Sequence, residues 1–126
     1  MKPVRITDGV YSLRVNHFNR HLFDSLIPLP DGTSYNAYLI TGSEKTALLD
    51  SADPEKKEVL FDYLKGVENL DYVVAHHAEQ DHSGSIPFVL EKYPSAKVVT
   101  NPRCKELLIS HLGLPAEKII EVKDGE

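Results

Sequence analysis

Residues 71–87 read Asp71-Tyr-Val-Val-Ala75, then His76-His-Ala-Glu-Gln-Asp-His82, then Ser83-Gly-Ser-Ile-Pro87. The first run is short, apolar and β-branched, which predicts a buried strand. The third leads into a helix whose apolar positions are Ile86, Val89 and Leu90. Between them, two imidazoles and two carboxylates fall within six positions: His77, Glu79, Asp81 and His82. A loop that leaves a strand and enters a helix sits at the C-terminal edge of a sheet, where open α/β sheets bind their ligands. Side chains 77 and 79 can point together toward one metal ion. Asp81 and His82, on the turn into the helix, can point toward a second. A nitrogen and oxygen set without thiolate suits iron, manganese or zinc and disfavours soft ions. The plain alternative is a solvated polar loop. His and acid at this density, directly after a buried strand, favour metal binding.

Upstream, Val10, Tyr11, Leu13 and Val15 follow the Asp8-Gly9 turn as a strand. Asn36–Ile40 and Thr46–Leu49 are two more, joined by Thr41–Lys45 as a hairpin. Asp53 caps a helix that starts at Pro54, carries Val59, Leu60, Tyr63 and Leu64 on one face, and ends at Gly66. Downstream, Lys97–Thr100 is a strand. Pro102 starts a third helix with Leu107, Leu108, His111 and Leu112 on a face, stopped by Gly113. Ile119, Ile120 and Val122 form a last strand that runs into Asp124-Gly125. The order β-β-β-α-β-α-β-α-β predicts an α/β (α+β) layered fold with a mixed sheet. Asp124-Gly125 reads as the turn of a hairpin whose second strand is missing.

At 126 residues the chain is one domain or a piece of one, and its 41% apolar content argues against disorder. A net charge of −5 without a basic block argues against a nucleic-acid partner. No apolar run approaches the roughly 20 residues needed to span a bilayer. The N-terminus, MKPVRITDGVYSL, lacks the apolar core of a signal peptide. The one cysteine, Cys104, allows no intrachain disulfide. The expectation is a cytoplasmic protein without membrane or nucleic-acid partner.

Zinc hydrolases of the metallo-β-lactamase superfamily carry His-x-His-x-Asp-His at such a loop. Flavodiiron proteins have Glu for the second His, usually followed by Ser-Gly. His77-Ala-Glu79-Gln-Asp81-His82-Ser83-Gly84 therefore resembles the flavodiiron pattern, and Glu79 is the discriminating residue; its oxygen favours iron over zinc. Ser34–Ile40 and Leu48-Leu49-Asp50 look like the core strands of the same family. The resemblance implies that residues 1–126 are the N-terminal half only of a metallo-β-lactamase-like αββα sandwich. It further implies two non-haem iron ions, with His77 and Glu79 on one and Asp81 and His82 on the other. The implied activity is reduction of dioxygen to water, of nitric oxide to nitrous oxide, or of both. Electrons would come from FMN in a C-terminal flavodoxin-like domain absent here, across a head-to-tail homodimer, with a rubredoxin-like protein as donor.

The family's later His, bridging Asp and final His have no counterpart in this chain. The half sandwich is expected to expose sheet edges and apolar faces, to fold poorly or self-associate alone, and to bind metal weakly. Two alternatives stand beside this reading: a zinc-dependent hydrolase, which Glu79 opposes, and a non-catalytic fragment completed by a partner chain. His76, where relatives often have Asn, and Asp50, at the end of a strand, are candidates for orienting the ligands. Ser83 and Gly84 fit a helix start. His111, beside leucines on a helix face, is expected to be a partly buried packing residue or a cation at the helix C-terminus. His17 and His21 have ligand-like spacing if helical, but no acid lies in register; in relatives the corresponding loop lies near the iron site. Cys104 is expected to be an inert small hydrophobe.

Overall fold

The computed structural model describes residues 3–17, 22–23, 27–28 and 32–123. β1 (Val4–Thr7) and β2 (Val10–His17) form a hairpin around Asp8-Gly9. Gly9 has φ +74, and a Cβ there would lie 2.6 Å from the Thr41 carbonyl oxygen, so this turn demands glycine twice over. β3 (Leu22–Phe23) and β4 (Ile27–Pro28) pair only with each other. β5 (Thr33–Thr41) and β6 (Thr46–Leu49) follow as a hairpin closed by Gly42 N–H to the Lys45 carbonyl at 2.8 Å. A 3-10 turn (Pro54–Lys56) then leads into α1 (Lys57–Tyr63). After β7 (Tyr72–Val74) come α2 (Gln80–Ser83) and α3 (Ile86–Lys92). β8 (Lys97–Thr100), α4 (Pro102–Leu112) and β9 (Ile119–Glu121) complete the described chain.

The main sheet has seven strands in the order β1-β2-β5-β6-β7-β8-β9. From β1 to β6 the neighbours are antiparallel, and from β6 to β9 parallel. Each parallel step crosses over through helix, as parallel pairing requires. One row of side chains runs in register across six strands: Tyr11, Leu39, Leu48, Val73, Val98 and Ile119. These share a core with Leu60 and Tyr63 of α1, Ile86 and Val89 of α3, and Cys104 and Leu108 of α4. All three helices therefore cover the same face, as right-handed crossovers that add strands in one direction dictate.

The opposite face carries a second row in register, Ser12, Tyr38, Leu49, Val74, Val99 and Ile120. Its members are only half-buried, and Ile120 is exposed. Parallel strands with β-branched residues on both faces are built to be covered on both. Val4 and Ile6 on edge strand β1 are exposed as well. The fold is the expected mixed-sheet α/β arrangement, with one helix layer on one sheet among the described residues.

Several boundaries differ from expectation. β1 and the β3/β4 pair were not foreseen: β1 is exposed throughout, so it shows no alternation, and Pro28 masks β4. α1 ends at Tyr63 rather than Gly66, because the buried Leu64 accepts the Val67 N–H at 2.9 Å and turns the chain without a glycine cap. Gly113 does cap α4 as expected, at φ +66. Ser83 ends α2 instead of starting a helix, since the N–H groups of His82 and Ser83 already bond the Glu79 carbonyl at 2.9 and 2.8 Å. β9 stops at Glu121, although the Val122 N–H still reaches the Thr100 carbonyl at 2.9 Å. The proposed hairpin turn at Asp124-Gly125 and the histidine at 21 lie outside the described residues.

Candidate metal centre

β6 and β7 end side by side, and the metal-ligand candidates stand where they stop. Asp50 N–H bonds the Val74 carbonyl at 2.8 Å, and the chain then turns sharply at Asp50 with φ +63, the one non-glycine residue with positive φ among those described. That conformation is costly for a side chain, so the surroundings must hold it. They do. Asp50 Oδ1 accepts the His76 backbone N–H at 2.9 Å, and Oδ2 lies 3.3 Å from Nδ1 of His82. Ser51 binds the far end of the loop: its N–H and hydroxyl donate to the His82 carbonyl at 2.7 and 2.8 Å. The Ser83 hydroxyl reaches back to the Ala78 and Glu79 carbonyls at 2.8 and 3.0 Å. The loop is thus tied to the end of β6 at both of its termini.

Within this frame the four candidates fall into two pairs. His77 Nε2 lies 3.8 Å from Glu79 Oε1, and His82 Nε2 lies 3.6 Å from Asp81 Oδ2. The two imidazole rings are 5.6 Å apart between centroids. Among the described residues no three His, Cys, Asp or Glu side chains come together closely enough to hold a metal ion. Donors on one first-row ion, each at about 2.1 Å, sit about 3 Å apart, so each pair is within a small side-chain movement of sharing a cation. The chemistry of the set, imidazole and carboxylate without thiolate, fits iron. In His82, Asp50 occupies Nδ1 and leaves Nε2 open to a cation. In His77, Nδ1 accepts the Glu79 N–H at 3.1 Å, a role it must give up before Nε2 can bind.

A cleft of about 770 Å³ opens between this loop and α4, bordered by His76, His77, Glu79, Arg103, Leu107 and His111. His111 is exposed here, not packed as expected, because Leu108 takes the core side of α4 and turns Leu107 and His111 toward the cleft. Cys104 behaves as expected, buried with its Sγ 3.9 Å from the Ala75 carbonyl oxygen. His17 does not sit on a helix: it ends β2, is buried, and lies 2.7 Å from the Tyr35 hydroxyl and 3.2 Å from Glu55 Oε2. The acid that sequence spacing did not reveal comes from the 3-10 turn. Sequence reading also missed Ser51, for which the preceding Leu48-Leu49-Asp50 strand end was the available signal.

Residues 33–126 match the family model of the ODP family beta lactamases. The chain belongs to this family. A nitric oxide reductase of Moorella thermoacetica is 39% identical over 114 residues, covering 87% of this chain and 28% of that protein. The structure of rubredoxin oxygen:oxidoreductase from Desulfovibrio gigas superposes with a TM-score of 0.90 at 31% identity, over 98% of this chain and 31% of that one. A flavoprotein of Thermotoga maritima gives the same TM-score of 0.90 at 28% identity, over 98% and 32%. The relatives include flavodiiron proteins, and the sheet described above matches their metallo-β-lactamase-like domain. The chain spans about a third of the length of these relatives or less. Among the described residues no helix is long and apolar enough to cross a membrane.

Proposed function

We propose that residues 1–126 form the N-terminal half of the metallo-β-lactamase-like domain of a cytoplasmic flavodiiron oxidoreductase. His77, Glu79, Asp81 and His82 are its share of a non-haem diiron site. The observation that best supports this reading is the pairing of His77 with Glu79 and of His82 with Asp81 on one anchored loop. Asp50 and Ser51 keep that loop in place, and Asp50 aims Nε2 of His82 at the metal. Glu79 supplies an oxygen where the zinc hydrolases have imidazole, which suits iron and opposes the hydrolase reading. The remaining ligands come from later in the domain, whose second layer covers the row from Tyr38 to Ile120. When bound, the irons supply the reducible centre at which dioxygen is reduced to water or nitric oxide to nitrous oxide. FMN on a flavodoxin-like domain of a homodimer would supply the electrons. A rubredoxin-like protein is the donor.

The test is consumption of dioxygen and of nitric oxide by the full-length protein with reduced rubredoxin. Glu79→Ala and His82→Ala are each expected to lower kcat by about a hundredfold or more, with an unchanged circular dichroism spectrum. Full activity in either variant, or zinc-dependent hydrolysis of a thioester or lactam by the wild type, would overturn the proposal.

A further inference from the structure

The two oxygens of Asp50 are used unequally. Oδ1 takes one partner, the His76 backbone N–H at 2.9 Å. Oδ2 meets two: Nδ1 of His82 at 3.3 Å, in hydrogen-bond geometry, and Nδ1 of His76, also at 3.3 Å. The carboxylate is only 12% exposed, so water has little access to it, whereas the His76 side chain is 59% exposed on the wall of the cleft. The orientation of Asp50 does not depend on the His76 imidazole. A backbone N–H at position 76 holds Oδ1 whatever side chain stands there, and the Val74 carbonyl anchors the Asp50 backbone. What the imidazole of His76 does is draw on the negative charge that Oδ2 presents to His82.

We infer that His76 is a positioning residue that acts on the metal centre through Asp50. By sharing Oδ2 it weakens the hydrogen bond that orients His82, and with it the strength of Nε2 of His82 as a donor. This rests on the reading of His82 as a ligand. An imidazole whose remote N–H is held by a carboxylate is fixed in tautomer and binds metal better, and loss of such a partner typically costs about 10- to 100-fold in affinity. Dividing the oxygen between two rings forfeits part of that gain, and removing the competing ring returns it.

Four forms of the full-length protein test this: wild type, His76→Ala, Asp50→Asn and the double variant. In metal-free protein labelled with ¹⁵N-histidine, the His82 Nδ1–H resonance is expected to move downfield in His76→Ala. Adding His76→Ala to Asp50→Asn is expected to leave it in place. In competition with a chelator, Co²⁺ is expected to bind His76→Ala about threefold more tightly or better, again with no gain in the Asp50→Asn background. Unchanged or weaker Co²⁺ binding by His76→Ala overturns the inference. So does a gain that survives in Asp50→Asn, because the effect would then bypass the carboxylate. If the resonance moves but Co²⁺ binds none of the four proteins, the reading of His82 as a ligand fails and takes the tuning role with it.

Discussion

Replacing Asp50 by alanine removes the acceptor of the His76 N–H and leaves a Cβ in the left-handed region. The lost bond runs from a backbone amide to a carboxylate at 2.9 Å. Hydrogen bonds to a charged group are worth about 1.5–3 kcal/mol, and a non-glycine residue at φ +63 stores a further ~1–2 kcal/mol of strain that the bond no longer offsets. The readout is local: the exchange rate of the His76 amide hydrogen in the native full-length protein. At 1.4 kcal/mol per tenfold, the lost bond alone makes that amide exchange about 10- to 100-fold faster in Asp50→Ala. Asp50→Gly loses the same bond but relieves the backbone, so it is expected to match Asp50→Ala at this amide while retaining more global stability. Asp50→Asn keeps a neutral acceptor worth about 1 kcal/mol and tolerates the positive φ, so its exchange falls between wild type and alanine. If Asp50→Ala changed the rate by less than threefold, Asp50 would not be clamping the loop and its role as an anchor would be lost.

Tyr93 donates to the Val67 carbonyl at 2.7 Å, and burial raises its phenol above the ordinary 10.0. The fold therefore favours the neutral phenol: its contribution is present below pH 10 and is lost as pH rises from there toward the folded value. Tyr93→Phe is expected to cost about 1 kcal/mol at neutral pH and to flatten the alkaline limb of a stability–pH curve; an identical alkaline limb would contradict this. Gly9→Ala places a methyl 2.6 Å from the Thr41 carbonyl oxygen at φ +74 and is expected to lower the midpoint of thermal unfolding, with about 2 kcal/mol or more lost. Val99→Asp, on the sheet face opposite the helices, separates a covered face from an open one. It is expected to cost more than about 2 kcal/mol in the full-length protein if a second layer lies there, and to stay within about 0.5 kcal/mol if none does.

The candidate metal loop could be located because its residues are local in sequence. His77, Glu79, Asp81 and His82 announce themselves by type and spacing, and the β-branched run before them fixes which edge of the sheet they occupy. The helices were legible where punctuation is strong: Asp53 accepts from the Glu55 N–H ahead of Pro54, Pro102 opens α4, and Gly113 ends it. Of the two readings of His111, the place in the last turn of α4 holds and the packing one does not, because a helix face next to leucines does not say which side of those leucines meets the sheet; Leu108 does and Leu107 does not. The partners of His17, distant in sequence at Tyr35 and Glu55, are set by strand register and by a 3-10 turn, neither of which spacing reveals. The same holds for the two hydrogen bonds that Ser51 makes across thirty-one residues to His82. Asp50 was recognisable as a strand end facing the loop, but its positive φ and its sharing between two imidazoles appear only in three dimensions.

One loop is proposed to supply ligands to two irons, and elemental analysis of the full-length protein measures whether it does. The wild type is expected to hold two irons per chain, and Glu79→Ala and His82→Ala to fall to one or none while remaining folded. Zinc in place of iron, or two irons retained in both variants, would refute this assignment of the loop.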